Sequence, residues 1–204
     1  MTYRALLLAN SPEFSAQVTD MIDLPEGDVE LRIDYSTLNY KDALAICNAS
    51  PIVRSWPLIA GIDAAGVVEQ SSHPDFQPGD AVVLNGWGLG ETRWGGLAQR
   101  TRVRGDWLVK LPSPFKPRDA ASIGTAGYTA ALSVQALEQH GLKPDHGPVL
   151  VTGATGGVGS IALMLLSQAG FEVHALTGKA GDHAYLSDLG AAVILDRATF
   201  AAAG

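Results

Sequence analysis

The chain has 204 residues, of which 47% are hydrophobic and 17% charged, and its 14 basic and 21 acidic side chains give a formal net charge of −7. This composition is apolar enough to fold into one or two domains, and the acidic balance argues against a nucleic-acid-binding surface. The lone cysteine, Cys47, excludes an intrachain disulfide and a cysteine-based zinc site. Because no apolar run approaches the roughly 20 residues that span a bilayer, we expect a soluble cytoplasmic protein with no membrane partner.

Residues 1–117 carry the pattern of short β-strands. Apolar and charged residues alternate along Val29–Tyr35, which is the period of a half-buried strand. Turns built on proline and glycine, at 25–28 and 78–80, separate such segments. Short strands with regular breaks predict a small barrel or sandwich. Further strands are predicted over Tyr3–Leu8, Phe14–Met21, Ala64–Glu69, Ala81–Leu84 and Leu97–Val103.

Residues 118–204 carry a different pattern, in which strands and helices alternate. An alanine-rich helix is predicted over Ala120–Leu142, interrupted by Gly124 and Gly127. The alternation that follows predicts βαβ units and a parallel sheet. Its strands are predicted over Val149–Thr152, Phe171–Leu176 and Ala192–Leu195, and its helices over Val158–Ala169 and Asp182–Leu189. The predicted fold class is a β-rich domain followed by a doubly wound α/β domain.

The number of strands in the second domain bears on its completeness. A doubly wound dinucleotide-binding fold has about six parallel strands, whereas the sequence after Pro117 presents about three. We therefore expect the chain to be incomplete and to hold the N-terminal half of that domain. The alternative is a compact three-stranded domain that is complete as it stands.

A glycine turn links the first strand and helix of the second domain. Residues 152–160 read TGATGGVGS and follow the G-x-G-x-x-G pattern of dinucleotide-binding turns, with alanine in the first glycine's place. Gly153 can make the tight turn, Gly156 lets the backbone approach a pyrophosphate, and Gly159 lets the helix pack on the sheet. The predicted cofactor contacts here are Gly153, Thr155, Gly156, Gly157, Val158 and Gly159. The alternative is a structural turn without a ligand.

The end of the second strand of the α/β domain indicates which nucleotide binds. An NAD site has an acidic residue about 20 residues after the motif, bonded to the ribose hydroxyls. This sequence has Thr177, Gly178 and Lys179 there, with no acid. A hydroxyl and a cation suit a 2′-phosphate, so these three residues predict NADPH. The alternative is that Lys179 is an ordinary solvated lysine.

Several stretches together carry a family resemblance. They are Leu38–Leu44, Pro57–Gly66, Gly86–Leu97, Gly105–Val109, Ile123–Thr129 and Val151–Ser160. On these stretches the whole chain resembles the medium-chain dehydrogenase/reductase superfamily, and within it the NADPH-dependent acrylyl-CoA reductases and related quinone oxidoreductases. The resemblance implies a GroES-like β-barrel domain over residues 1–117, half of a Rossmann domain over 118–204, and a homodimer of the full-length protein.

The resemblance also bears on metal use and on the reaction. Zinc-using relatives place a cysteine ligand in the first motif and a histidine–glutamate pair in the second, where this sequence has Asn39–Asp42 and Gly61–Asp63. We therefore expect no metal. The implied reaction is hydride addition from NADPH to the activated double bond of an enoyl thioester, acryloyl-CoA giving propanoyl-CoA. The alternatives are reduction of a quinone, enal or enone, and a nucleotide-binding module without catalysis.

The first motif supplies the candidate catalytic residues. Tyr40 resembles the family's cofactor-contacting tyrosine and is a candidate for positioning or protonating the substrate; alternatively it packs at a helix start. Asn39 is a candidate for orienting substrate or cofactor; alternatively it is the N-cap of a helix over Tyr40–Ile46. Lys41 and Asp42 are expected to be solvated residues of the first helical turn.

Two threonines and a glycine-rich loop complete the candidates. Thr125 resembles the family threonine near the nicotinamide, and Thr129 lies one helical turn further on; alternatively both belong to a packed helix start. The stretch Gly86–Gly96, with Trp87 and Trp94, is a candidate wall of the substrate pocket or, alternatively, a compact surface loop.

Overall fold

The computed structural model describes residues 2–10 and 12–201, without the side chains of residues 180, 200 and 201. The chain divides into two compact units, Met1–Thr125 and Ala126–Gly204. A single helix, Pro117–Gln139, runs through this division. The predicted start of the second domain at residue 118 falls in the first turn of this helix, and that boundary stays a prediction.

The first unit is built from antiparallel strands, as the alternating sequence pattern predicts. Its strands are β1 (Tyr3–Asn10), β2 (Phe14–Met21), β3 (Val29–Tyr35), β4 (Leu58–Ile59), β5 (Asp63–Ser71), β6 (Ala81–Asn85), β7 (Arg100–Val103) and β8 (Val109–Lys110), and its first helix is α1 (Tyr40–Ile46). Among the described residues they form a five-stranded sheet in the order β7-β3-β5-β6-β8 and a three-stranded sheet in the order β2-β1-β4.

The alternation of β3 gives the larger sheet one apolar face. Val29 and Leu31 are buried, while Arg32 and Asp34 pair with each other at the surface. The side chains that pack with Val29 and Leu31 come from β5, β6, β7 and the segments after β6 and β7: Ala64, Val68, Val82, Leu84, Leu89, Val103 and Leu108. The core of this unit therefore lies against β5, the strand that begins at Asp63.

Strand β7 begins three residues later than the sequence pattern predicts. Leu97 donates its backbone N–H to Ala60 and accepts one from Leu6, and the Gln99 N–H donates to Arg4. These bonds tie residues 97–99 to the β1–β4 sheet, whereas Arg100–Val103 pairs with β3. The apolar run predicted as one strand thus changes partners partway along.

The second unit contains the predicted βαβ units. Its helices are the later part of α2 (Pro117–Gln139), then α3 (Gly157–Gln168), α4 (His183–Asp188) and α5 (Arg197–Ala201), and its strands are β9 (Val149–Thr152), β10 (Val173–Thr177) and β11 (Val193–Asp196). The strands pair in parallel in the order β11-β10-β9. Leu163 and Leu166 of α3 pack on Val173 and Ala175 of β10.

Helix α2 is longer at its start and shorter at its end than predicted. It begins at Pro117, a residue whose fixed φ suits a first helical turn, and it ends at Gln139. At Gly124 the backbone leaves helical geometry, with φ of 54° and ψ of −168°, so the helix restarts at Thr125. Among the described residues, no helix has the length and apolar character that crossing a membrane requires.

Candidate functional site

A buried carboxylate, that of Asp42, accepts hydrogen bonds at the start of helix α1. The backbone N–H of Asn39, at the N-cap position, donates to Asp42 Oδ2 at 2.7 Å, and the Ile62 N–H donates to Asp42 Oδ1 at 3.0 Å. Asp42 is 1% exposed, so the prediction that it is solvated is wrong: its side chain turns back to join α1 to the segment before β5. Lys41 is solvated as predicted and pairs with Glu91 at 2.7 Å.

A second buried carboxylate, Asp63, is the centre of a hydrogen-bonded cluster in the first unit. Its Oδ2 accepts from Thr37 Oγ1 at 2.5 Å, from Asn39 Nδ2 at 3.0 Å and from the Thr125 backbone N–H at 3.0 Å. Its Oδ1 accepts from Asn85 Nδ2 at 2.7 Å and from the Thr125 hydroxyl. The cluster therefore brings two predicted site residues, Asn39 and Thr125, onto one acceptor.

The two carboxyl groups have pKa values displaced in opposite directions. Burial raises the pKa of Asp42, and the backbone bonds that it accepts only partly compensate. Burial also opposes ionisation of Asp63, but donation from Thr125, Thr37 and Asn85 outweighs it and lowers the pKa of that carboxyl. Asp63 is therefore ionised at neutral pH, although it is only 2% exposed.

Tyr40 and Thr129 differ from these clustered residues in their surroundings. Tyr40, the first residue of α1, is 81% exposed, so it is not a packed tyrosine. Thr129 lies exposed on α2, and its carbonyl accepts from the Ser133 hydroxyl at 2.9 Å.

Trp87, in the glycine-rich loop, is 55% exposed and stacks on Trp107 with ring centroids 6.0 Å apart.

Trp94 packs in the core of the smaller sheet. It packs against the cluster of Tyr3, Ala5 and Ile59, and its ring N–H donates to the Pro57 carbonyl at 3.3 Å. The glycine-rich loop therefore has one tryptophan at the surface and one that anchors it. A group of three or more side chains able to hold a metal ion does not occur among the described residues.

The sequence pattern did not single out Asp63, Thr37 or Asn85 as site residues. A signal was present, because Asp63 stands inside the apolar stretch 57–66. A charge that is buried with its apolar neighbours requires hydrogen-bonding partners to offset the loss of hydration. Those partners are distant in sequence, 26 residues for Thr37 and 22 for Asn85, so only the fold identifies them.

The glycine turn of the second unit lies between β9 and α3. Gly153 has φ of 60°, and its carbonyl accepts the Gly156 N–H at 2.9 Å. A Cβ on Gly159 would overlap that same carbonyl and lie 2.9 Å from Ala154 Cα. Gly156 is the N-cap of α3, and Gly157 and Val158 are its first two residues, so the turn and the helix start have the predicted geometry.

A cavity of about 240 Å³ lies beside the glycine turn. It is lined by Thr152, Gly153, Thr155, Leu176, Thr177, Gly178, Lys179 and Arg197. The Lys179 N–H donates to Thr177 Oγ1 at 3.1 Å, which fixes the turn after β10. The described residues that line the cavity include two cations and no acid. Of the predicted cofactor residues, Gly153 and Thr155 of the turn therefore share one cavity with Thr177, Gly178 and Lys179, whereas Gly156, Gly157, Val158 and Gly159 are not among its lining residues.

Arg197 is a lining residue that the sequence pattern did not identify. It is the first residue of α5, directly after β11, and its guanidinium would lie 3.1 Å from a Cβ on Gly178. Because β10 and β11 are parallel neighbours, their carboxyl ends share one edge of the sheet, which is where nucleotides bind in such folds. The sequence pattern singled out residues at the carboxyl end of β10 and none at the carboxyl end of β11, where Arg197 lies.

Comparison with known proteins places this geometry in context. The family model for the alcohol dehydrogenase GroES-like domain matches residues 25–113. Acrylyl-CoA reductase AcuI of Ruegeria pomeroyi is 53% identical over 177 residues, which is 87% of this chain and 54% of the relative. Putative quinone oxidoreductase YhfP of Bacillus subtilis is 50% identical over 86% of this chain and 53% of the relative. The chain thus spans just over half the length of these curated relatives.

Two solved structures show the same fold. The yhdH oxidoreductase from Salmonella enterica, in complex with NADP, superposes with a TM-score of 0.93 and 50% identity, covering 98% of this chain and 62% of that one. Bacillus subtilis yhfP, with NAD bound, superposes with a TM-score of 0.92 and 46% identity, covering 98% and 61%. The two relatives therefore differ in the nucleotide with which they were solved.

Proposed function

Since the chain belongs to the medium-chain dehydrogenase/reductase superfamily, with a GroES-like domain followed by a Rossmann-type parallel sheet, we propose that it is an NADPH-dependent reductase. The observation that carries this proposal is the cavity beside the glycine turn, where Lys179 and Arg197 converge with the Thr177 hydroxyl. Two cations and a hydroxyl at the edge of a parallel sheet suit a ribose 2′-phosphate.

The residues of this cavity fit an NADP-type nucleotide in their chemistry. The helix start at Gly157 presents backbone amides, which together with the helix dipole favour a pyrophosphate. Thr155 and Gly153 line the cavity between that helix start and the end of β10. We propose Gly153, Thr155, Gly156, Gly157, Val158 and Gly159 as pyrophosphate contacts, and Thr177, Gly178, Lys179 and Arg197 as 2′-phosphate contacts.

The proposed reaction is reduction of the activated double bond of an enoyl thioester, acryloyl-CoA giving propanoyl-CoA. When bound, NADPH supplies the hydride that adds to the β-carbon of the substrate. The resulting enolate oxygen needs hydrogen-bond donors, and the α-carbon needs a proton. Tyr40, exposed at the start of α1, is the proposed positioning or proton-donating residue. Asn39 is a candidate to orient ligands beside it, and Thr125 and Thr129 are the proposed nicotinamide contacts.

Support for this substrate comes from the relative named as an acrylyl-CoA reductase, at 53% identity. The relative named as a putative quinone oxidoreductase, at 50% identity, favours a second candidate, NADPH-dependent reduction of a quinone or enone. A homodimer of the full-length protein is proposed on the family resemblance. A panel of acryloyl-CoA, crotonyl-CoA and a quinone, each with NADPH, separates the two substrates, and tight NADPH binding without turnover of any of them would favour a non-catalytic nucleotide-binding module.

The cofactor assignment is tested by nucleotide titration, with NADPH and NADH compared in wild type, Lys179→Ala and Arg197→Ala. Each substitution is expected to weaken NADPH binding by roughly tenfold or more, since a charge-assisted hydrogen bond contributes about 1.5–3 kcal/mol. NADH binding is expected to change by less than about twofold, because NADH lacks the 2′-phosphate. Lys143→Ala, an exposed lysine outside the cavity, is the matched control. Equal loss for both nucleotides would refute the assignment.

A further inference from the structure

Two tryptophan rings and two arginines form a cluster in the first unit. The rings of Trp87 and Trp107 are stacked, with planes 16° from parallel. The Arg93 guanidinium lies 4.7 Å from the Trp107 ring centroid and donates to the Trp87 carbonyl at 2.5 Å. The Arg104 guanidinium lies 5.9 Å from the same ring. We call Trp87, Trp107, Arg93 and Arg104 the tryptophan–arginine cluster; it combines flat aromatic surfaces with positive charge.

Trp87 lies at the surface in an uncommon backbone conformation. Its φ is 54°, and its neighbours Gly86 and Gly88 have φ of 78° and 80°. A bulky residue rarely adopts this left-handed region, and such conformations cluster at ligand sites, where the surrounding structure enforces them. The ring is 55% exposed, so burial in a core does not account for the conformation. An exposed indole of this kind can stack on a planar ligand.

Arg93 is a cation without an acidic partner in the described part of the chain. Glu91, two positions before it, pairs with Lys41 instead. The approach of Arg93 to the loop depends on Gly88, because a Cβ there would lie 3.0 Å from the Arg93 Nη1 atom. A guanidinium carries several N–H donors, and only one contact, to the Trp87 carbonyl, engages them among the described residues. On a chain with a net charge of −7, such an arginine suits an anionic ligand.

The cluster is attached to the candidate site of the first unit. Asn85, two residues before Trp87, donates to the buried Asp63 carboxylate. The same carboxylate accepts from Asn39, the neighbour of the proposed catalytic residue Tyr40. Successive Cα atoms lie about 3.8 Å apart, so the Trp87 Cα is within about 7.6 Å of the Asn85 Cα. A ligand held by the cluster therefore lies at the rim of the site and not at its reacting atoms.

We propose that the tryptophan–arginine cluster binds the adenosine phosphate end of the CoA thioester, with adenine on Trp87 and phosphate on Arg93. This inference rests on the proposed reductase function and selects among its substrates. Adenine stacks on indole, and phosphate accepts charge-assisted hydrogen bonds from a guanidinium. A quinone has a ring without a phosphate, so it suits the cluster less well. Arg104 also pairs with Asp106 at 2.8 Å, which leaves Arg93 as the main phosphate partner.

Calorimetric titration of the intact enzyme with free coenzyme A tests the cluster without turnover. Trp87→Asn removes the ring, and asparagine tolerates a left-handed φ; Arg93→Gln removes the charge. Each is expected to weaken CoA binding by roughly tenfold and NADPH binding by less than about twofold. Arg118→Gln, an exposed arginine outside the cluster, is the matched control and is expected to change neither. Unchanged CoA affinity in both variants, or an equal loss of NADPH affinity, would overturn the proposal.

Turnover of a truncated substrate separates the cluster from the reaction itself. In Trp87→Asn and Arg93→Gln, KM for acryloyl-CoA is expected to rise about tenfold, with kcat within about twofold of wild type, because the adenosine end takes no part in the chemical step. Acryloyl-pantetheine lacks that end, so its kcat/KM is expected to stay within about twofold in the same variants. Equal losses for both thioesters would refute the adenosine site. Cluster-dependent CoA binding by a wild type that reduces neither thioester would support the site and refute the reductase function alone.

Discussion

Substitution of Gly159 by alanine tests the glycine turn and the nucleotide proposal together. Gly159 is the third residue of α3, where the helix passes closest to the turn. The Cβ of an alanine would overlap the Gly153 carbonyl oxygen and lie 2.9 Å from Ala154 Cα. Both obstructing atoms belong to the backbone, so no side chain can rotate away. The start of α3 must therefore move off the sheet.

The size of the effect follows from these distances. Two carbon atoms pack best at about 3.5–4.0 Å, so α3 has to retreat by roughly 0.6–1.1 Å from Ala154. Overpacking of this kind costs about 1–3 kcal/mol, and a rigid backbone obstacle places Gly159→Ala at the upper end. Alanine regains about 1 kcal/mol of helix propensity over glycine. The expected net loss in free energy of unfolding is therefore about 2 kcal/mol.

Urea unfolding followed by circular dichroism measures this loss, and NADPH titration measures its functional counterpart. NADPH affinity is expected to fall by about tenfold, because the retreating helix carries its amides away from the pyrophosphate. Gly181→Ala is the stability control: its Cβ would meet nothing within 4 Å, and its effect should stay within about 0.5 kcal/mol. Unchanged NADPH affinity in a destabilised Gly159→Ala would mean that the turn is structural and binds no phosphate there.

Three further perturbations have expected outcomes. Leu163→Ala should lower the free energy of unfolding by about 2–5 kcal/mol in urea titrations, because Leu163 is fully buried against β10; a loss below about 1 kcal/mol would contradict that packing. Glu91→Gln should change stability by less than about 1 kcal/mol, since its pair with Lys41 is partly exposed, and a larger loss would show an unrecognised role. Asp63→Asn should cost about 3 kcal/mol at neutral pH by leaving buried donors unpaired. The folded pKa of Asp63 lies below its unfolded value, so its contribution is fully present above about pH 4 and is lost as the pH falls through the folded pKa. A difference between wild type and Asp63→Asn that did not narrow in acid would refute this pH dependence.

Local patterns were sufficient where a feature depends on neighbouring residues. Alternation along Val29–Tyr35 gave the bounds of β3, and the bounds of β2, β9 and α1 also match their predictions. The glycine turn was recognised because its constraints are local: the tight turn at Gly153 and the close approach at Gly159 both act within seven residues of chain. The βαβ order of the second unit followed from the same short-range periodicity.

Features that depend on tertiary neighbours were missed or mistaken. Asp42 looked like a solvated first-turn acid, but the Ile62 N–H, 20 residues away, draws it into the interior. Arg197 lines the cavity beside the glycine turn because β11 lies beside β10 in the sheet. Leu97 does not pair with β3 as Arg100 does, because its backbone N–H and carbonyl bond to Ala60 and Leu6 instead. Intrinsic propensity predicts the local structure that each residue favours. At these three positions the outcome depends instead on which residues, distant in sequence, contact the residue in the fold.

The positions of the tryptophans, including the stacked pair Trp87 and Trp107, allow the unfolding of the two units to be followed separately. All four tryptophans of the chain, Trp56, Trp87, Trp94 and Trp107, fall in the first unit. Intrinsic indole emission therefore reports on the first unit, and no tryptophan is among the described residues that line the cavity beside the glycine turn. Helical ellipticity in circular dichroism reports mainly on the second unit, because α3 and α4 lie there. Recorded together in one denaturation experiment, the two signals show whether the barrel and the parallel sheet lose their structure as a single cooperative system or in succession.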